Sequence, residues 1–285
     1  MKFQCIHAHF DDYEFTAGGT FEIARRALGD TFQAQVVVCT DGQAGHHFLT
    51  REETGKTRRR EQEESARIGK YQFRALEFPD GGSPREGCVV KDSRLHAALW
   101  KVIRDFQPDY LFCPPVSTNP LAGVHPDHLA VAESVRNIAY MINVPHAFTP
   151  EYPADETQSQ ACKVPVIINV YDGYMAGANA FHFAVDVTEA FDAVAEMSWS
   201  HQSQIKEWLP WVGRHEMEPS SNLDEWKKEL RDRFQRQQKE VGLPTDRYYE
   251  VFTATHWGIA PEADTLLKDI PGLAEDVSKL DLIRL

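Results

Sequence analysis

With 30 Lys and Arg against 43 Asp and Glu in 285 residues, the chain carries a formal net charge of −13. That is the opposite of the electropositive footprint a nucleic-acid groove needs. The length suits one large domain that buries roughly 75% of its unfolded surface. Gln4, His7 and His9 interrupt any apolar leader, and no apolar run reaches membrane-spanning length, so neither a signal peptide nor a membrane anchor is expected. Cys5, Cys39, Cys88, Cys113 and Cys162 are odd in number and lack CxxC spacing. They read as reduced, buried thiols of a cytoplasmic protein, none of them a nucleophile.

The N-terminal half alternates strands and helices. FQCIHAH, QAQVVVCT, YQFRALEF and DYLFCPP are short apolar or β-rich runs, each ending in polar loop residues. Helical patterns fill the gaps at Gly18 to Leu28, Arg51 to Gly69 and Asp92 to Phe106. In the last of these, Leu95, Leu99, Val102, Ile103 and Phe106 share one face, Asp92 or Ser93 can cap its start, and Pro108 follows its end. This alternation predicts an open, doubly wound, mostly parallel α/β sheet of Rossmann-like type, with right-handed crossovers. Ligands bind such sheets beyond the carboxyl ends of the strands, where His9, Asp41, Asp80 and the loop leading to His125 fall.

A helix is expected from His128 to about Asn143, then a long loop over 145–165 that serves as a lid or wall over the site. VPVIINVY and FHFAVDV read as a C-terminal strand hairpin or sheet edge. A helix follows from Thr188 to Leu209, then a charged one near 223–240 with Trp226, Leu230 and Phe234 as a narrow apolar stripe on a solvated rod. The chain thus reads as a single domain, with a core over about 1–145 and substrate-wall elements over about 146–285.

Two short clusters carry the chemistry: His9-Phe10-Asp11-Asp12 with Glu14, and His125-Pro126-Asp127-His128. A tight turn after the first strand can place His9 and Asp12 around one ion, with His128 as third ligand and an open fourth position. One zinc per chain suits this set, and ferrous iron is the alternative. Alone, His9 reads as a core histidine and Asp11-Asp12 as a helix cap. The second cluster in another strand-to-helix loop reverses that reading. Asp11 is then free to act as general base. His125 faces the same cavity as a protonated electrostatic or acid group, with Asp127 holding its tautomer, though Asp127 also fits a helix N-cap.

Other residues are more ambiguous. Gly18-Gly19-Thr20 lacks the glycine spacing of a nucleotide loop and is better read as letting the first helix approach the sheet. Arg58-Arg59-Arg60 fits a solvated face, with contact to substrate as the alternative. Asp80 is either a turn former or an acceptor for a substrate hydroxyl. Trp199, Trp208, Trp211 and Trp257 could stack on a sugar ring, although core packing suits at least two of them.

The motifs Ala8-His9-Phe10-Asp11-Asp12-Tyr13-Glu14, Gly18-Gly19-Thr20, Thr40-Asp41-Gly42-Gln43-Ala44-Gly45, Arg58 with Glu61 (Arg60 with Glu63 fits the same spacing), Pro79-Asp80-Gly81 and His125-Pro126-Asp127-His128 resemble the LmbE/PIG-L family of metal-dependent N-deacetylases. Ser203-Gln204 and Glu250-Val251-Phe252 are weaker echoes. The resemblance implies His9, Asp12 and His128 as metal ligands, Asp11 as base, His125 with Asp127 as its partner, and Arg58 and Asp80 as substrate contacts. Two departures stand out. Phe10 replaces the family's proline, which predicts a more apolar mouth. Leu121-Ala122-Gly123-Val124 lacks the tyrosine that some relatives use as an oxyanion donor.

The sequence therefore predicts a zinc-dependent hydrolase that removes acetyl from an N-acetylated, sugar-like small molecule or glycoconjugate. Its rivals are a metal-dependent hydrolase of another amide or of a phosphoester, and a non-catalytic metal- or carbohydrate-binding protein. A homo-oligomer is compatible with the sequence.

Overall fold

Short apolar runs form β1 (Lys2–His7), β2 (Gln33–Val38), β3 (Gln72–Ala75), β4 (Tyr110–Cys113), β5 (Val166–Val170), β6 (Phe183–Asp186) and β7 (Tyr249–Ala254). In the computed structural model, which describes residues 1–158, 161–213 and 217–283, they make one sheet in the order β3-β2-β1-β4-β5-β7-β6. Strands β3 to β5 in that order pair in parallel, whereas β7 is antiparallel to both β5 and β6. The connection order reverses between β1 and β4, which opens a crevice at their carboxyl ends. The segments carrying His9 and His125 leave the sheet there.

Helices α1 (Asp12–Thr16), α2 (Gly18–Leu28), α3 (Arg51–Gly69), α4 (Ser93–Phe106), α5 (Pro126–Ile138), α6 (Asp155–Gln158), α7 (Phe191–Trp199), α8 (Leu209–Val212), α9 (Leu223–Val241) and α10 (Ala263–Asp269) complete the described residues. Alternate strand residues feed two cores, as the period of two requires. Phe3, Val36, Phe112 and Ile168 join Phe21, Val194 and Trp226 on one face. Ile6, Val37, Leu111 and Ile167 meet Leu99, Ile103 and Val135 on the other. Helices therefore cover both faces, as the alternating pattern predicts.

Boundaries follow local chemistry. Thr50 and Glu53 form a reciprocal capping box at α3, and the Asp92 side chain accepts from Leu95 N–H at the start of α4. Glu250 on β7 accepts from the N–H groups of Gly19 and Thr20, both at 2.8 Å, which satisfies the start of α2. A Cβ on Gly19 would lie 2.7 Å from Val187, so glycine permits that close approach.

Three expectations are corrected. First, β5 and β6 do not form a hairpin, although β6 is a sheet edge as the alternative reading had it: β7 inserts between them, because its Tyr249, Val251 and Phe252 complete buried faces on either side. Second, the helix expected over 188–209 breaks after Trp199. It resumes as a wider turn over Gln204–Trp208 and as α8, whose Pro210 fits only a first turn. Third, segment 145–165 does not line the cavities at the site with any of its described residues, residues 159–160 lying outside them. Its Phe148 packs on Trp100, and Asp155 pairs with Lys101, on the outer side of α4.

Glu14 anchors the floor beneath α1. It is fully buried, and its Oε1 accepts from Gln62 Nε2 at 2.9 Å, Tyr71 Oη at 3.0 Å and the Ser65 hydroxyl. His201 Nε2 faces the same oxygen at 3.2 Å. Burial opposes both charges, but the pair overrides it: Glu14 is lowered and His201 raised from their ordinary values. The raised histidine stabilises below the ordinary histidine range and loses that contribution as pH climbs through its folded pKa. The lowered carboxylate stabilises above the ordinary carboxylate range and loses it as pH falls. Replacing His201 with Leu should therefore cost about 3–5 kcal/mol near neutral pH, the penalty for stranding a buried charge. Denaturant titrations should show that gap narrowing at both acid and alkaline pH. A constant gap would mean that packing alone explains the loss.

Candidate active site

The first motif places its residues through the turn that ends β1. Asp11 sits at φ 91°, a left-handed conformation uncommon outside glycine but tolerated best by Asn and Asp. The turn sends Asp12 back under His9, whose backbone N–H donates to Asp12 Oδ2 at 2.7 Å. Phe10 turns inward, 1% exposed, against Phe73 and the Arg58 guanidinium. It therefore fills the layer behind the turn and does not make the mouth more apolar.

His128 arrives from the first turn of α5. His9 Nδ1, Asp12 Oδ2 and His128 Nε2 form a nearly equilateral triangle, with edges of 3.2 Å from His9 to Asp12, 3.1 Å from His9 to His128 and 3.3 Å from His128 to Asp12. Donors about 2.0–2.1 Å from a tetrahedral ion lie about 3.3 Å apart, so the triangle fits one small divalent cation. Each imidazole is braced from behind. His9 Nε2 meets Asp127 Oδ2 at 3.1 Å, and His128 Nδ1 meets Asp172 Oδ2 at 3.1 Å, the carboxylate–histidine arrangement that orients metal-binding rings. His7 also approaches, with Nδ1 2.5 Å from Asp12 Oδ2.

The electrostatics favour positive charge. Burial opposes the imidazolium at His9 and His128, but Asp12 and the bracing carboxylates outweigh it and raise them to about 10 and about 9. Burial likewise opposes ionisation of Asp12, yet His7, His128 and His9 hold it well below the usual carboxylate range. Asp11 points away from the triangle toward Arg58 Nη2 at 3.1 Å, and Arg58 also donates to Phe10 O. Burial and repulsion from Asp12 outweigh Arg58 and push Asp11 up to about 6.

Expectations for the second cluster need correction. Asp127 does not hold the tautomer of His125. Its carboxylate is committed to His9 and to the N–H groups of Gly87 and Val89, at 2.6 and 3.0 Å. Instead the backbone N–H of Asp127 donates to His125 Nδ1 at 3.3 Å, which leaves the neutral ring's proton on Nε2. Nor is the imidazolium favoured at His125: burial, then His9 and His128, push it down to about 4. Asp80 is 65% exposed and paired with Arg94 at 2.6 Å on the surface, away from this cluster. Among the cysteines, Cys88 is exposed rather than buried, and all five are free.

A cavity of about 300 Å³ opens over the triangle, lined by His9, Asp11, Arg58, His125, Tyr174 and Trp208 among others. Of the four candidate tryptophans only Trp208 lines it, and Trp211 stacks on Trp208 and His47 just outside. Trp199 and Trp257 pack against the two cores. The loop carrying Glu86 and Gly87 ties the parts together, since Glu86 accepts from Ala44 and Gly45 N–H while Gly87 donates to Asp127.

Sequence reasoning missed Asp172 and Tyr174, which follow β5. The Tyr174 ring lies 5.1 Å from that of His125 and 5.4 Å from that of His128. Tyr174 backbone O also passes 2.6 Å from where a Cβ on Gly123 would stand, so a larger residue there would displace this turn. The signal was present but faint: a strand ending in Tyr171-Asp172 at a predicted carboxyl edge.

Residues 4–139 match the model of the PIG-L family, described as GlcNAc-PI de-N-acetylase. No curated protein sequence matches the chain. Among solved structures, N,N'-diacetylchitobiose deacetylase from Pyrococcus horikoshii is 22% identical with a TM-score of 0.68, over 90% of this chain and 84% of that one. GalB, the 4-carboxy-2-hydroxymuconate hydratase from Pseudomonas putida KT2440, is 17% identical with a TM-score of 0.58, over 90% and 96%. A deacetylase of the teicoplanin biosynthetic pathway is 16% identical with a TM-score of 0.53, over 90% and 99%. These likenesses share the α/β fold, and because one of them is a hydratase, the reaction has to be argued from the site. With the motifs at 8–14 and 125–128 inside the matched span, residues 4–139 are a PIG-L (LmbE-like) GlcNAc-PI de-N-acetylase family domain.

Proposed function

We propose that the chain is a divalent-metal-dependent N-deacetylase, a hydrolase that cleaves an acetamide to acetate and a free amine. The observation that carries this reading is the His9–Asp12–His128 triangle with Asp11 beside it but outside it. A bound ion, zinc by the chemistry of the donor set, supplies acidity that lowers the pKa of water from 15.7 to about 7 and polarises an acyl oxygen. The protein's own groups do the rest. Asp11 takes the proton of the attacking water, and Arg58 keeps the carboxylate aimed. His125, neutral with its proton on Nε2, donates to the oxygen on which negative charge grows. Tyr174, whose phenol burial and nearby carboxylates push up to about 12, stays protonated as a second donor in the same cavity. Asp11 then returns its proton to the departing nitrogen.

Among the described residues, both other groupings of potential ligands reuse His128, so they describe one ion position and not a pair. That disfavours phosphoester hydrolysis, which commonly uses two ions about 3.5–4 Å apart. Trp208 at the rim suits the apolar face of a sugar-like substrate. No helix among the described residues is long and apolar enough to cross a membrane.

Acetate release from a panel of N-acetylated amino sugars, glycoconjugates and amino acids, with metal-stripped and zinc-reconstituted protein, tests the reading. Activity should be absent after stripping and return at about one equivalent of zinc. Release that survives stripping, or hydrolysis of phosphoesters with no acetate release, would overturn it.

A further inference from the structure

The triangle also opens in a second direction. Beyond Tyr174 and Leu209 lies another cavity of about 370 Å³, bounded by Asp11, Asp12, Phe15, Tyr171, Arg233 and Glu240. Its acidic groups are all engaged. Asp11 meets Arg58 at 3.1 Å, and Asp12 meets His9 and His128 at 3.2 and 3.3 Å. Glu240 accepts from Tyr171 Oη at 2.6 Å and from Gly177 N–H at 2.9 Å. Of the two arginines on this wall, Arg236 is paired with Glu229 at 2.9 Å.

Arg233 is different. It projects from α9 with its guanidinium 4.3 Å above the Phe15 ring, and its Nε is sealed from solvent. Among the described residues it makes no hydrogen bond or ion pair. The side chain is part-buried, and a sealed Nε–H with no acceptor is a costly arrangement. Burial also pulls its pKa below the ordinary arginine value. Phe15 fixes its plane while leaving the fork of donors toward the cavity unmatched, and that fork suits carboxylate or phosphate oxygens.

We propose that Arg233 is a specificity-determining residue that takes an anionic group of the substrate, a carboxylate or a phosphate, in this second cavity. The substrate is then an acidic N-acetyl compound whose acetamide lies at the triangle while its anion lies past Tyr174. This inference rests on the deacetylase reading of the same site.

The test uses zinc-reconstituted full-length protein and three matched probes: N-acetylglucosamine, its 6-phosphate and its 6-carboxylate (the uronic acid). In wild type, at least one acidic probe should show a lower KM than the neutral sugar, and the better of the two identifies the anion. Arg233→Met keeps the stacking volume but removes the charge. It should raise KM for the acidic probe about 10- to 100-fold, the loss expected when a hydrogen bond to a charged group is deleted. The neutral KM should change far less than the acidic one, and Arg233→Lys should recover part of the loss. Equal losses on acidic and neutral probes, or no preference for either acid in wild type, would overturn the assignment while leaving the deacetylase reading intact. If no probe releases acetate, calorimetric binding separates the two. Binding of an acidic probe that Arg233→Met weakens sustains the anion site and sinks the deacetylase reading. Binding indifferent to Arg233, or no binding of either acid, sinks the anion site.

Discussion

Asp11→Asn is expected to lower turnover by about 10²- to 10⁴-fold, the span for removal of a general base, while metal content stays near wild type. The two readouts separate because Asp11 is turned away from the triangle and toward Arg58 at 3.1 Å, whereas Asp12 supplies the triangle's oxygen. The amide is isosteric and can still accept from Arg58, so the turn at φ 91° should survive. The pH profile adds a second test. A base works only when ionised, and burial with Asp12 repulsion holds Asp11 at about 6. The rate should therefore fall as pH drops below about 6. Arg58→Gln removes the charge that pulls this pKa down, so the acid limb should move to higher pH. Loss of metal in Asp11→Asn would show that the two aspartates have exchanged roles, and an unmoved limb in Arg58→Gln would detach Asp11 from the limb.

His128→Ala should lose most of the bound zinc and with it essentially all activity, because two donors retain neither the affinity nor the geometry of three. Asp172→Asn is the graded companion. It leaves the triangle intact but weakens the brace on His128 Nδ1, at 3.1 Å, and should cost about 10- to 100-fold in zinc affinity. Metal analysis of purified protein and a competitive chelator titration measure both. Full zinc occupancy in His128→Ala would remove it from the ligand set. Unchanged affinity in Asp172→Asn would make that carboxylate a neighbour with no influence on the ring.

The doubly wound class and the helices from Gly18 to Phe106 were legible in the sequence because their causes are local. Periods of two and 3.6 set the faces, and Asp92 and Pro108 mark ends within a few residues of the pattern they bound. The grouping of His9, Asp12 and His128 was legible for a related reason. Each motif is a contiguous stretch in a loop that leaves the carboxyl end of a parallel strand, and parallel sheets bring such loops together. The tertiary structure decided what depended on partners distant in the chain. Inserting β7 between β5 and β6 is a matter of sheet register, to which no short window is sensitive. Asp127 turned to His9 rather than His125 because a side chain's direction is set by the helix that carries it, not by its neighbour in sequence. Asp80 shares the crevice in sequence order but swings out to Arg94 on an exposed turn. Asp172, Tyr174 and Arg233 carry no motif, and they became part of the site only when packing of the C-terminal elements closed them over the carboxyl ends of β1 and β4.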